Sequence, residues 1–154
     1  MNLARLFALS LAALLVVAAG CGSSPKTVNK AQYEAQLAKS GQAITIAGQQ
    51  LGKVITIADF NGAVSDLQKA LRDGEKNLNG LQPPANTRAA NKQLAQAFGD
   101  LADALEPVKE ARRVSIVKAR EALAKLGGSA ASKNGQAAIT ELNNLGYSVD
   151  AATP

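Results

Sequence analysis

Apolar and small side chains recur at steps of four and three along most of this chain, the period that keeps one face of an α-helix toward a partner. The first run passes through Tyr33, Leu37, Ser40, Ile44, Ala47, Leu51, Val54 and Ala58. Asn29 precedes it with Gln32 three residues on, the spacing at which two side chains satisfy orphan amides reciprocally, so a helix is expected to start there. A β-hairpin competes over residues 43–58. Ala43-Ile44-Thr45-Ile46-Ala47 and Val54-Ile55-Thr56-Ile57-Ala58 are β-branched near-repeats, and Gly48 and Gly52 lie between them. The four-three pattern already running from Tyr33, and the lack of an Asn-Gly or Asp-Gly turn, favour helix with a break near 52–58.

The second run is the most regular: Phe60, Val64, Leu67, Leu71, Gly74, Leu78 and Leu81, with Asp66, Lys69, Arg72, Asp73, Glu75 and Lys76 on other faces. Leu81-Gln82-Pro83-Pro84 must turn the chain, because proline donates no helical hydrogen bond and pushes its predecessor out of the helical region. A third helix is expected from near Ala85, with Leu94, Phe98, Leu101, Leu105 and Val108 as its stripe, antiparallel to the second because the link is so short. Gly74 stands where Leu or Ala would be expected. Either a large side chain such as Phe98 fills the space, or a small apolar cavity opens there.

Pro107 ends the third helix near Glu106 or bends it into a fourth segment reaching Leu126, whose stripe is Val108, Ala111, Ser115, Ala119, Ala122, Leu123 and Leu126. Residues 129–134 read as a polar loop. Ala137, Ala138, Leu142 and Leu145 then make a short helix capped by Gly146, after which Tyr147 and Val149 fold back. The fold class predicted over 29–154 is all-α: an antiparallel bundle of three to four helices with a short C-terminal helix.

Residues 1–28 follow a different rule. Arg5 leads into an uncharged run from Leu6 to Ala19, too short to span a bilayer, which closes in Val17-Ala18-Ala19-Gly20-Cys21. This resembles a lipobox, with Ala18 where Leu is commoner. The resemblance implies a signal segment over 1–20, cleavage between Gly20 and Cys21, and diacylglyceryl transfer to the Cys21 thiol. Residues 21–28 then form a lipidated, flexible tether. One acyl chain anchors only marginally, and a modified cysteine carries two or three. The protein is therefore expected at the cell membrane on its extracytoplasmic side.

Composition narrows the chemistry. Cys21 is the only cysteine among 154 residues, so an acylated chain has no thiol for disulfides or zinc. The net charge is +5, from 17 Lys and Arg against 12 Asp and Glu, and loss of Arg5 with the signal lowers it by one. Mild, mixed charge with 3% aromatic residues does not fit a nucleic-acid binder. The chain has no histidine, which removes Ser-His-Asp and Cys-His nucleophiles and the Glu-x-x-His ligands of a di-iron bundle. No cofactor, metal or catalytic site is expected. Asp100, Asp103, Glu106 and Glu110 read as a solvated face, and Lys109, Arg112, Arg113, Lys118 and Arg120 as a basic counterpart open to an anionic ligand.

A lipobox, a polar tether, and a long helix turning at Leu81-Gln82-Pro83-Pro84 into an Ala-rich helix together resemble the small envelope lipoproteins of high-GC Gram-positive bacteria. That resemblance covers most of the chain and implies location and helical architecture, with no activity to carry over. The expected function is a noncatalytic interaction or structural module whose partner is an envelope protein or a wall or lipid component. The alternative is carriage of a small apolar or lipid ligand in the bundle core.

Overall fold

The computed structural model describes residues 27–54 and 56–149, so the signal segment 1–20 and most of the tether lie outside the described residues. Among those described there are six α-helices, one 3-10 turn and no strand. The helices are α1 (Lys30–Gly52), α2 (Ile57–Gly80), α3 (Arg88–Asp103), α4 (Glu106–Val114), α5 (Ile116–Leu126) and α6 (Ala130–Asn144), and the 3-10 turn (Ala85–Thr87) precedes α3. The chain is an all-α bundle. Helices α1, α2, α3 and α6 form its body, and α4 and α5 fold on each other as a hairpin at one end.

The start of α1 is fixed by a reciprocal cap. Asn29 Oδ1 accepts from the Gln32 amide at 2.9 Å, and the Asn29 amide donates to Gln32 Oε1 at 3.1 Å. The helix runs unbroken through Ala43–Ala47 to Gly52, so the hairpin alternative is excluded and the chain breaks at the expected place. It resumes at Thr56, whose Oγ1 accepts from the Asp59 amide at 3.2 Å. α2 stops at Gly80; Leu81 is extended, Pro83 is buried, and Thr87 closes the turn by bonding the Pro84 carbonyl through both its amide and its hydroxyl, each at 2.9 Å.

Two apolar clusters fill the interior. Tyr33, Leu37, Leu78, Leu94, Leu142 and Tyr147 gather at the end where α1 begins and α2 finishes. Leu51, Phe60, Val64, Leu105, Val108 and Ala119 gather at the other end. Within the body, the packed pairs α1–α2, α2–α3 and α3–α6 therefore run antiparallel. Phe98 packs against both clusters, and it explains Gly74: a Cβ there would sit 2.9 Å from Phe98 Cδ2, so glycine lets the ring lie on the α2 backbone.

Three expectations change. Residues 130–134 are the first turn of α6 rather than a loop, because Ser129 Oγ accepts from the Ser132 amide and caps the helix. The third helix ends at Asp103, before Pro107. The fourth segment is broken at Ser115, whose extended backbone (φ −166°, ψ 154°) separates α4 from α5. The end of α6 follows the expectation. Gly146 takes φ 80°, its amide bonds the Asn143 carbonyl at 2.9 Å, and the Tyr147 amide bonds the Leu142 carbonyl at 3.0 Å. Tyr147 and Val149 are buried against α1 and α3, with the Tyr147 ring edge-on to Tyr33 at 5.6 Å.

One buried polar group crosses the bundle. Asn91, on α3, accepts from the Tyr33 hydroxyl at 3.1 Å and donates to the Leu78 carbonyl at 3.0 Å, joining α1, α2 and α3. Asn91→Ala leaves the Leu78 carbonyl with only the longer bond from the Leu81 amide and removes the Asn91 acceptor from the Tyr33 hydroxyl, so thermal or denaturant unfolding is expected to show a loss of about 2 kcal/mol. Burial pushes the Tyr33 phenol from its usual 10 up to about 12, with the Thr87 hydroxyl acting against this and Tyr147 adding to it. A phenol that ionises near 10 when unfolded but stays neutral when folded leaves stability intact below pH 10 and erodes it from 10 to about 12. Unfolding free energies measured against pH are expected to fall by about 1.4 kcal/mol per pH unit in that window. In Tyr33→Phe that component disappears.

Candidate functional site

Cys21 and the Gly20–Cys21 bond lie outside the described residues; the two ends of the described bundle differ in what they expose. The end at which α1 begins is closed. Val28 was expected to belong to a flexible tether, yet its amide donates to the Gln82 carbonyl at 2.9 Å and its side chain packs on the first apolar cluster. Lys30 lies over the Tyr147 ring at 5.6 Å, and the Ser148 amide donates to Glu34 Oε1 at 2.9 Å, so the residues just after α6 cover the same end.

The other end carries the α4–α5 hairpin. Val108 and Ala119 are fully buried and fix one face of each helix against the second cluster. Arg120 donates to the Val54 carbonyl at 3.0 Å, tying α5 to the α1–α2 link. Ser115 forms the corner, and its Oγ accepts from the Lys118 amide at 3.1 Å. A one-residue corner cannot turn every apolar side chain inward. Val114 is 67% exposed and Val117 61% exposed, and Ile116 is half-buried between them.

Basic residues flank these valines along the chain. From Ala111 to Arg120 the chain holds Arg112, Arg113, Lys118 and Arg120 and no acid. Arg113 pairs with Glu110 at 3.2 Å, leaving its charge at the surface. Arg112 Nε is shielded from solvent without a hydrogen-bond partner among the described residues. Along the hairpin's flank, an open groove of about 580 Å3 is lined by Pro107, Val108, Ala111, Ala122 and Leu126, with Lys118, Glu121 and Lys125 at its edges. A smaller pocket of about 190 Å3 lies between α5 and the bundle, walled by Ile44, Leu67, Leu71, Leu101, Leu105 and Leu123.

The acidic residues do not converge. Asp103 pairs with Arg72, which also holds Glu75 at 3.0 Å. Glu106 accepts from Gln68 Nε2 at 2.7 Å and Lys109 Nζ at 3.1 Å, and these bonds, Gln68 first, hold its carboxyl below the usual range. Gln68 also donates to the Ala102 carbonyl at 2.9 Å, so this polar chain stitches α2 to the start of α4. Among the described residues, no group of three His, Cys, Asp or Glu side chains is placed to hold a metal ion, and no helix is long and apolar enough to cross a membrane.

The sequence pattern shows the basic residues but hides the exposed valines, because Val108, Ala111, Ser115 and Ala119 keep helical spacing across the corner. The signal is the acid-free stretch from Ala111 to Arg120, in which Val114, Ile116 and Val117 fit no single stripe. Comparison of the chain with family profiles, with curated proteins and with solved structures returns no match.

The two kinds of valine are expected to separate in unfolding experiments. Val114→Ser together with Val117→Ser should leave stability within about 0.5 kcal/mol of the parent. Val108→Ala, which empties a fully buried site, should cost about 2 kcal/mol.

Proposed function

We propose that this chain is a noncatalytic, lipid-anchored envelope protein, held by acylated Cys21 at the outer face of the cytoplasmic membrane and serving as an interaction module. The observation that carries this reading is the contrast between the bundle's ends. The end reached from Cys21 is closed by Val28, Tyr147 and Val149, whereas the far end presents Val114 and Val117 on a basic corner. Exposed apolar side chains on a rigid support are what a contact surface requires. The likeness of the Val17–Cys21 segment to a lipobox and of the Leu81–Pro84 turn to small high-GC Gram-positive lipoproteins supports the location.

Carriage of a small apolar ligand is the second reading, favoured by the pocket walled by Ile44, Leu67, Leu71 and Leu105. Its 190 Å3 falls below the roughly 300 Å3 at which ligand pockets begin, which ranks it behind an interaction role. Native mass spectrometry separates the two, since carriage requires a copurifying lipid or small molecule.

The anchor is tested by Cys21→Ser. The parent chain is expected to partition into detergent and to incorporate labelled palmitate in cells. The variant should incorporate none, and should be either released or retained at the mass of the uncleaved precursor. Equal membrane retention of both chains without label would overturn the anchor.

A further inference from the structure

We propose that the α4–α5 corner is a second membrane contact, seating Val114 and Val117 in the interface of an anionic lipid surface while Arg112, Arg113, Lys118 and Arg120 meet its phosphates. Two independent features of the corner lead there. The first is apolar exposure. Among the described residues the large hydrophobic side chains in open solvent are Ile46, Val114 and Val117, and two of these three flank Ser115. The second is charge. Four cations and no anion lie between Ala111 and Arg120, and the next carboxylates along the chain are Glu110, which pairs with Arg113 at 3.2 Å, and Glu121, just beyond Arg120. Branched apolar tips flanked in sequence by long basic side chains match the water–lipid boundary, where the tips leave water and the cations remain at headgroup level.

The surroundings keep those cations available. Arg120 spends one nitrogen on the Val54 carbonyl and keeps its charge. Arg112 and Lys118 form no ion pair among the described residues, and Arg113 shares an exposed carboxylate at 3.2 Å that a phosphate can replace. A soluble polyanion would satisfy the cations but gives the valines no reason to be exposed, so the lipid surface accounts for both features.

The identity of the surface rests on the anchor reading; the preference of the corner for anionic lipid does not. Extended backbone from Cys21 to Val28 reaches at most ~25 Å. α1 separates the two ends of the bundle by ~34 Å, given its 23 residues. Both contacts can therefore share one membrane when the bundle leans toward it at less than about 45°, as these two lengths require.

The test uses the full chain with Val117→Cys, and in parallel Val114→Cys, each labelled with an environment-sensitive fluorophore. Both are made with Cys21 retained and with Cys21→Ser, and helicity is checked by circular dichroism. In vesicles of phosphatidylcholine with phosphatidylglycerol, the probe should shift to the blue and be quenched by lipids carrying a shallow nitroxide. In phosphatidylcholine alone it should stay in water. High salt should reverse the effect, and Arg112→Gln or Lys118→Gln should each lower the ratio of immersed to exposed probe about fivefold. A probe that remains in water in both vesicles overturns the proposal, as does equal immersion in both. Salt-sensitive binding without nitroxide quenching also overturns it, since that is attraction to any polyanion. With Cys21 retained, one label per chain reports a blocked thiol and two report a free one, so failure of the anchor is scored separately from failure at the corner.

Discussion

The amide of Asn91 ties three helices together, and the reason it is needed lies in the turn that precedes it. A helix leaves its last carbonyls without donors, and α2 stops at Gly80 because Pro83 pushes Gln82, whose amide would otherwise bond the Leu78 carbonyl, out of the helical region. The Leu78 carbonyl receives only a long bond from the Leu81 amide, at 3.3 Å. Asn91 reaches back from α3 with a shorter one, at 3.0 Å, and its oxygen then takes the Tyr33 hydroxyl from α1. Because the group is buried, both bonds must be made together. Moving α3 by one residue shifts the side chain ~1.5 Å along the axis and ~100° around it, which breaks both. An Ala-rich core with few aromatic side chains has little shape of its own to enforce register, and this amide supplies it.

Phe98 does the corresponding work farther along α3. It lies on Gly74 and touches both apolar clusters, so the one large ring of the middle of the bundle occupies the space that a missing side chain leaves. Ridge and groove are thus set by one pair of residues, while Ala90, Ala95, Ala97 and Ala102 let the backbones approach around them. The polar chain of Gln68, Glu106 and Lys109 then carries the α2–α3 contact onto the hairpin.

Much of this is legible in the amino-acid sequence itself. The Asn29–Gln32 cap, the stripes from Tyr33 to Leu51 and from Phe60 to Leu78, the proline turn and the Gly146 stop are all local, and local chemistry settles them. What escapes is polar or non-local. Thr87 and Asn91 continue the spacing of Leu94, Phe98, Leu101 and Leu105 backwards, but the apolar stripe itself stops at Leu94. Ala131, Gly135, Ala138 and Leu142 carry the same spacing in α6, masked by the polar look of Ser129–Asn134. Ser115 breaks a stripe without glycine or proline, because its hydroxyl can cap the next helix as readily as its backbone could have continued the last. The site depends on that break, so its charge is visible in the sequence and its exposed valines are not.

The ends of the bundle solve the same problem in opposite ways. Near Val28 the chain adds residues to cover apolar surface: the Tyr147 ring meets Tyr33 edge-on, Tyr147 OH donates to Asn86 at 3.1 Å, and Val149 is left 5% exposed. At the hairpin the chain adds two helices and ends with more apolar surface at their corner than a loop of polar residues would show. Leaving a valine in water forgoes about 1.5 kcal/mol of burial. Packing does not demand that loss, because Val108 and Ala119 already secure the hairpin from within. On the membrane-contact proposal, burying these two valines beside four basic side chains is what an anionic lipid surface would supply.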